Sequence, residues 1–191
     1  MTEGTILTVG HSTHPLDEFL GLLSDADIGG IVDVRRLPGS RRFPWFDQDA
    51  LSSSLADAGI RYTRIPELTG RRPVQHDVPD EVDALWHNRS FHNYADHALG
   101  PDFARGLDEL VRLGGESRSA VMCSEAVWWR CHRRIIADHL LARGIRVEHI
   151  MPDGRISPAE LTPGAVVRGT QVVYPAPGPT SPVSDGRHPP Q

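Results

Sequence analysis

The chain predicts an α/β fold: a mostly parallel five-stranded sheet with helices on both faces, a Rossmann-like three-layer sandwich. Three observations carry that expectation. Short β-branched runs alternate with stretches of helical periodicity. Strands that alternate with helices imply right-handed crossovers and parallel pairing. At 191 residues the chain fits one domain with a sizeable core.

The elements follow in order. "TILTVG" (5–10) is an apolar run closed by glycine and reads as a buried strand. Leu16, Phe19, Leu20 and Leu23 recur at helical spacing within "LDEFLGLLSDA". "GGIVDVR" (29–35) reads as the second strand, and "RRLPGSRRFPWF" then breaks all periodicity with two prolines and a glycine. Asp47 is placed to cap a helix over "QDALSSSLADAG", and "IRYTRI" (60–65) reads as the third strand.

Residues 66–90 are polar and irregular, a length of loop that in a compact domain is usually functional or mobile. "PDFARGLDELVRL" (101–113) reads as an amphipathic helix and "SAVMCSE" as the fourth strand. "CHRRIIADHLLARG" reads as a helix, with Cys131 in its first turn, and "RVEHI" as the fifth strand. Residues 1–174 are expected to form the single domain. The proline-rich 175–191 cannot pack a core and is expected to be a disordered tail.

Composition narrows the function classes. The net charge of -5 argues against a bulk electrostatic nucleic-acid binder, although a local basic patch stays open. All 20 basic residues are arginine, which suits carboxylate or phosphate recognition but equally suits a GC-rich genome. No charged-then-apolar leader and no run of membrane-spanning length is present, so the expectation is a cytoplasmic protein without a membrane partner. Two cysteines are no disulfide framework and are expected to rest as thiols.

Ligands of open α/β sheets bind at the carboxyl ends of the strands. The unusual stretches fall there: "GHS" after the first strand, "DVRRLPGSRR" after the second, "ELTGRR" after the third and "CSE" after the fourth. Cys123 has a bland reading as a small buried hydrophobe, weakened by Glu125 two residues on. Cys131, with His132, Arg130 and Arg133 around it, has the surroundings that lower a thiol pKa.

A tetrahedral metal set is disfavoured, because C-x-E-x5-C-H matches no zinc spacing and adjacent Cys131 and His132 would point to different helix faces. No cofactor is predicted. Arg35, Arg36, Arg41 and Arg42 flank Gly39 and Ser40, a pattern suited to an anion; the alternative is a solvated loop paired with Asp33, Asp47 and Asp49. Asp33 inside an apolar strand needs a partner, for which Arg35 and His11 are candidates. Trp45, Phe46, Trp128 and Trp129 can stack on a flat ligand or simply cover the sheet end.

These residues resemble the family called domain of unknown function 488. The features that carry the resemblance are Cys123, Glu125, Cys131, His132 and Arg133 as C-x-E-x5-C-H-R, "GHS" at 10–12, and "DVR" at 33–35 with Pro38 and Ser40. "EL-x-G-RR" at 67–72, Phe91 and Tyr94, and "LTPGA…VVYP" at 161–175 extend it over residues 5–175. Two departures stand out: Trp128 where similar members tend to have proline, and Ala159 where they tend to have a histidine. The resemblance implies an α/β sandwich with a polar cluster at one sheet end, and no reaction.

The combined expectation is an enzyme acting on a phosphate-bearing small molecule or nucleic acid. Cys123 or Cys131 is nucleophile or redox partner, and Glu125 or His132 is acid or base. His11, Ser12, Asp33, Arg35, Ser40, Arg41, Tyr94, Trp129 and Arg133 are the expected binding residues, with Arg133 neutralised by Asp33 or Glu125. The alternatives are a non-catalytic binding module, and a thiol-redox or metal-handling protein.

Overall fold

A computed structural model describes residues 4–178. Its central sheet has six strands in the order β3-β2-β4-β1-β5-β6. Five are parallel: β1 (Ile6–Gly10), β2 (Gly30–Asp33), β3 (Arg61–Arg64), β4 (Ser119–Cys123) and β5 (Val147–Ile150). The sixth, β6 (Ile156–Pro158), is a three-residue strand antiparallel to β5, one more than the sequence predicts. Its single turn of chain after β5 is too short for a crossover, so it can only return antiparallel.

Parallel strands buried on both faces read as continuous apolar runs, and β1, β2 and β4 are buried throughout. Alternate side chains go to opposite faces. Leu7, Val9, Ile31, Ala120 and Met122 meet α1 (Leu16–Asp25) and α2 (Gln48–Asp57) through Phe19, Leu23, Leu51 and Leu55. Ile6, Val32, Val121, Cys123 and Val147 face the other side. There they meet α3 (Arg89–Ala98), α4 (Pro101–Glu116) and α5 (Arg133–Ala142) through Tyr94, Phe103, Leu107, Ile135 and Leu140. The result is three layers. A hairpin of β7 (Val166–Arg168) and β8 (Gln171–Val173) adds Val172 and Tyr174 to that second core.

Helix α3 starts at the end of the 66–90 loop and runs through residues 91–98, to which the sequence reading assigns no element. Asn88 caps it, accepting from the Ser90 and Phe91 amides at 2.9 and 3.4 Å. Asp47 stands at the N-cap of α2 but makes no side-chain cap; its carboxylate takes the Ser40 amide at 2.6 Å instead. The sequence expectation of a cap is corrected to a clamp on the 36–47 loop. Among the described residues no helix is long and apolar enough to cross a membrane. Most of the expected tail, 179–191, lies outside the described residues.

The chain leaves β1 toward α1 on one face and leaves β4, the adjacent strand, toward α5 on the other. Neighbouring strands whose exits diverge open a crevice at their carboxyl ends.

Candidate active site

That crevice is a cavity of about 700 Å³ lined from all four expected strand ends. His11 and Ser12 follow β1, Arg35 and Ser40 follow β2, Gly70 and Arg71 follow β3, and Cys123, Glu125, Cys131 and His132 follow β4. Tyr94 from α3 closes one wall. The loop after β4 folds so closely over β1 that a Cβ on Gly10 would sit 1.8 Å from the Glu125 carbonyl oxygen. Only glycine fits there. A Cβ on Gly70 would likewise fall 2.8 Å from His132 Nδ1.

The two sulfurs lie 2.7 Å apart at the cavity floor, both free and both buried. Cys131 is not in the first turn of α5. It is extended (φ -130, ψ 151) and lies two residues before Arg133, the first residue of that helix. This placement turns Cys131 and His132 toward the same side, which residues within a helix could not share. The Cys131 sulfur accepts from the Arg133 amide at 3.5 Å and lies 3.5 Å from His132 Nδ1.

Burial opposes ionisation of Cys131, but the Cys123 S–H, His132 and the Arg133 guanidinium outweigh it and hold the thiol well below its ordinary pKa. Burial and the adjacent Cys131 sulfur push Cys123 well above its own. The two thiols are thus driven in opposite directions, Cys131 toward the thiolate and Cys123 toward the thiol, and they titrate as a pair.

Arg133 is almost fully buried beneath the pair. Its expected neutralisation by Asp33 or Glu125 is corrected. Its Nη2 donates to the Glu125 carbonyl oxygen at 2.8 Å and its Nη1 to Thr8 Oγ1 at 3.3 Å. The Glu125 carboxylate is exposed at the cavity rim. Asp33 is committed elsewhere. No carboxylate among the described residues pairs with Arg133; burial opposes its charge, and the Cys123 and Cys131 sulfurs outweigh that and support it.

Asp33 is fully buried and holds Arg35 through Nε at 3.0 and 3.1 Å and Nη2 at 2.7 Å, and accepts the Tyr62 hydroxyl at 2.6 Å. Arg35 Nη1 reaches the Phe46 carbonyl at 2.7 Å and His11 Nε2 at 3.3 Å. These bonds fix the 35–46 loop and leave Arg35 few donors for a ligand. His11 stacks on Phe46 at 4.1 Å, and burial takes its imidazole down to about 4, against the pull of the Ser12 carbonyl it bonds. The ring is neutral at pH 7. Ser12 (φ 48) and Arg71 (φ 56) both hold left-handed backbone at the cavity wall, strain of a kind that clusters at functional sites.

Of the expected site residues, Arg41 and Trp129 are exposed and do not line the cavity, and Asp33 and Arg133 lie beneath it. The arginines that do line it with exposed side chains are Arg36, Arg71 and Arg130. None of the three is in an ion pair among the described residues. Sequence reasoning also passed over Thr8 and His149, whose signal was the one that singled out Asp33, a polar residue inside an apolar strand. Among the described residues no group of three or more His, Cys, Asp or Glu side chains is arranged to hold a metal ion.

Fold and site together define a three-layer α/β protein with a paired-thiol cavity at the strand ends, ringed by arginine. The family profile described as Domain of unknown function DUF488 matches residues 15–140, more than half the chain, and the chain belongs to that family. The matched span includes Cys123 to Arg133 but begins after His11 and ends before β5. No curated protein and no solved structure matches the chain.

Proposed function

We propose that the protein is a cysteine-dependent enzyme acting on a phosphate-bearing substrate, a nucleotide or nucleic acid being the class that suits the cavity best. The observation that carries this is the setting of the Cys131 sulfur. It touches the Cys123 thiol, His132 and the first amide of α5, above a buried guanidinium that has no carboxylate partner among the described residues. Such a setting favours thiolate, the nucleophilic form. Arg36, Arg71 and Arg130 supply positive charge at the mouth, and Phe43, Phe91 and Tyr94 supply flat apolar wall.

Cys131 reacts as the thiolate, its own proton having passed to His132 Nδ1, 3.5 Å away, while Cys123 keeps its proton. The thiolate attacks the electrophilic atom of the substrate, forming a bond from sulfur and breaking the bond to the leaving group, which departs with the proton returned by His132. Water then releases the enzyme, with His132 or the rim carboxylate of Glu125 accepting its proton.

The test is a panel of nucleotides, phosphate esters and short oligonucleotides incubated with the full chain, followed for turnover and for a Cys131 adduct by mass spectrometry. Turnover that Cys131→Ser abolishes while ligand binding persists supports the reading. Tight binding by the wild type, unchanged when both cysteines are replaced and without any turnover, favours a binding module instead.

A further inference from the structure

We infer that Cys123 and Cys131 are a peroxide-responsive pair: Cys131 is oxidised first, and Cys123 closes a reversible disulfide with it. This goes beyond the enzyme reading and does not depend on which substrate the cavity takes. The contact between the sulfurs carries it. They are eight residues apart in the chain, both reduced, 2.7 Å from each other and both on the cavity wall. The gap to a bonded distance of about 2.0 Å is small.

The surroundings also assign the roles. Cys131 has the Arg133 amide and His132 directed at its sulfur, the arrangement of a reactive, oxidisable cysteine. Cys123 lies at the end of an apolar strand and keeps its proton until a partner becomes electrophilic.

A hydroperoxide is the co-reactant. The Cys131 thiolate attacks one peroxide oxygen, the O–O bond breaks, and an alcohol or water leaves after taking up a proton. Cys131 is now a sulfenic acid. The Cys123 sulfur attacks that sulfur, the S–S bond forms, the S–O bond breaks, and water leaves with the Cys123 proton. In sum the two thiols lose two electrons and two protons, and the hydroperoxide becomes alcohol and water. Without Cys123 the sulfenic acid has no neighbour to condense with and meets further peroxide, moving up the oxidation ladder to forms that thiols cannot reverse.

The experiment treats the full reduced chain with hydrogen peroxide at neutral pH, quenches with a maleimide and reads intact mass and peptide maps. The wild type is expected to lose two hydrogens, to yield one cross-linked peptide joining Cys123 and Cys131, and to return to two thiols with dithiothreitol. Cys123→Ser should gain one oxygen and then two on Cys131, and Cys131→Ser should stay unmodified over the same time. A wild type that accumulates oxygen on Cys131 without bridging, or that bridges only between chains, overturns the inference. The wild-type peptide map decides this even if a variant folds poorly. Alkylation of Cys131 with iodoacetamide at mildly acid pH, run in parallel, separates loss of the bridge from loss of the activated thiol on which the enzyme reading stands.

Discussion

The indole of Trp128 lies flat on the imidazole of His149, ring centres 4.5 Å apart and planes 8° from parallel. His149 Nδ1 meets Thr8 Oγ1 at 2.8 Å, and Thr8 Oγ1 takes the Arg133 guanidinium. Trp128 is thus the outer cover of the chain of contacts leading to the thiols. Arg134 also lies over the Trp128 ring, at 5.7 Å.

Trp128 is therefore expected to keep His149 neutral. Burial, with the Arg133 charge adding to it, lowers that imidazole to about 4. A folded pKa below the unfolded value near 6.5 means the unfolded chain binds the extra proton first, so this contribution to stability is present at pH 7 and is lost as pH falls from 6.5 through 4. Trp128→Ala should move the His149 titration, followed by NMR of its ring protons, upward toward 6.5. An unmoved titration would place the cause of the shift elsewhere.

The two thiols should separate by pH. At pH 7 Cys131 is expected to alkylate at least about tenfold faster than Cys123, because its surroundings lower its pKa while those of Cys123 raise it. Cys123→Ala, which removes the S–H donor, should raise the apparent pKa of Cys131, and Cys123→Ser should raise it less. Rate against pH for each single-cysteine variant is the measurement.

Arg133→Ala should cost on the order of 3 kcal/mol of stability, since it leaves a thiolate and the Glu125 carbonyl without their buried partner. Arg134→Ala should cost about 1 kcal/mol or less. That side chain is half-buried, bonded to the Thr162 hydroxyl at 2.8 Å and resting on Trp86 and Trp128. Urea unfolding of the two variants side by side checks the ordering.

Asp33→Asn leaves Arg35 buried without its carboxylate and should destabilise by about 3–5 kcal/mol. The same change frees the 35–46 loop that Arg35 holds through Phe46. Faster proteolysis within that loop, beyond what the lower melting temperature explains, is the second expected sign.

Much of this arrangement is legible in the sequence, and its limits have physical causes. Strands β1, β2 and β4 announce themselves because both faces are buried and their residues are mostly apolar. The convergence of His11, Arg35, Cys123 and Glu125 on one cavity follows from their placement at or just after the ends of separate parallel strands. Helix α3 does not show, because His92, Asp96 and His97, which are polar, lie on its buried side and blur the apolar stripe. The partner of Arg133 is equally hidden. A backbone carbonyl has no letter of its own, and the eye goes to the carboxylate of Glu125 instead. Arg36 and Arg71 differ from Arg41 only in which way short loops turn, which spacing does not encode.

The bareness of Gly10 has a wider meaning. The strand end and the loop after β4 occupy one another's space, so neither can change shape alone. A methyl group added at residue 10 would lift the Glu125 carbonyl from the one guanidinium it anchors, and would disturb a thiol to which residue 10 has no bond of its own. Any chain that carries a larger residue at this point must route the stretch from Ser124 to Arg130 along another path, and its cavity would have a different floor. The identity of one small residue is thus a readable mark of whether a related sequence shares this thiol site or merely its fold.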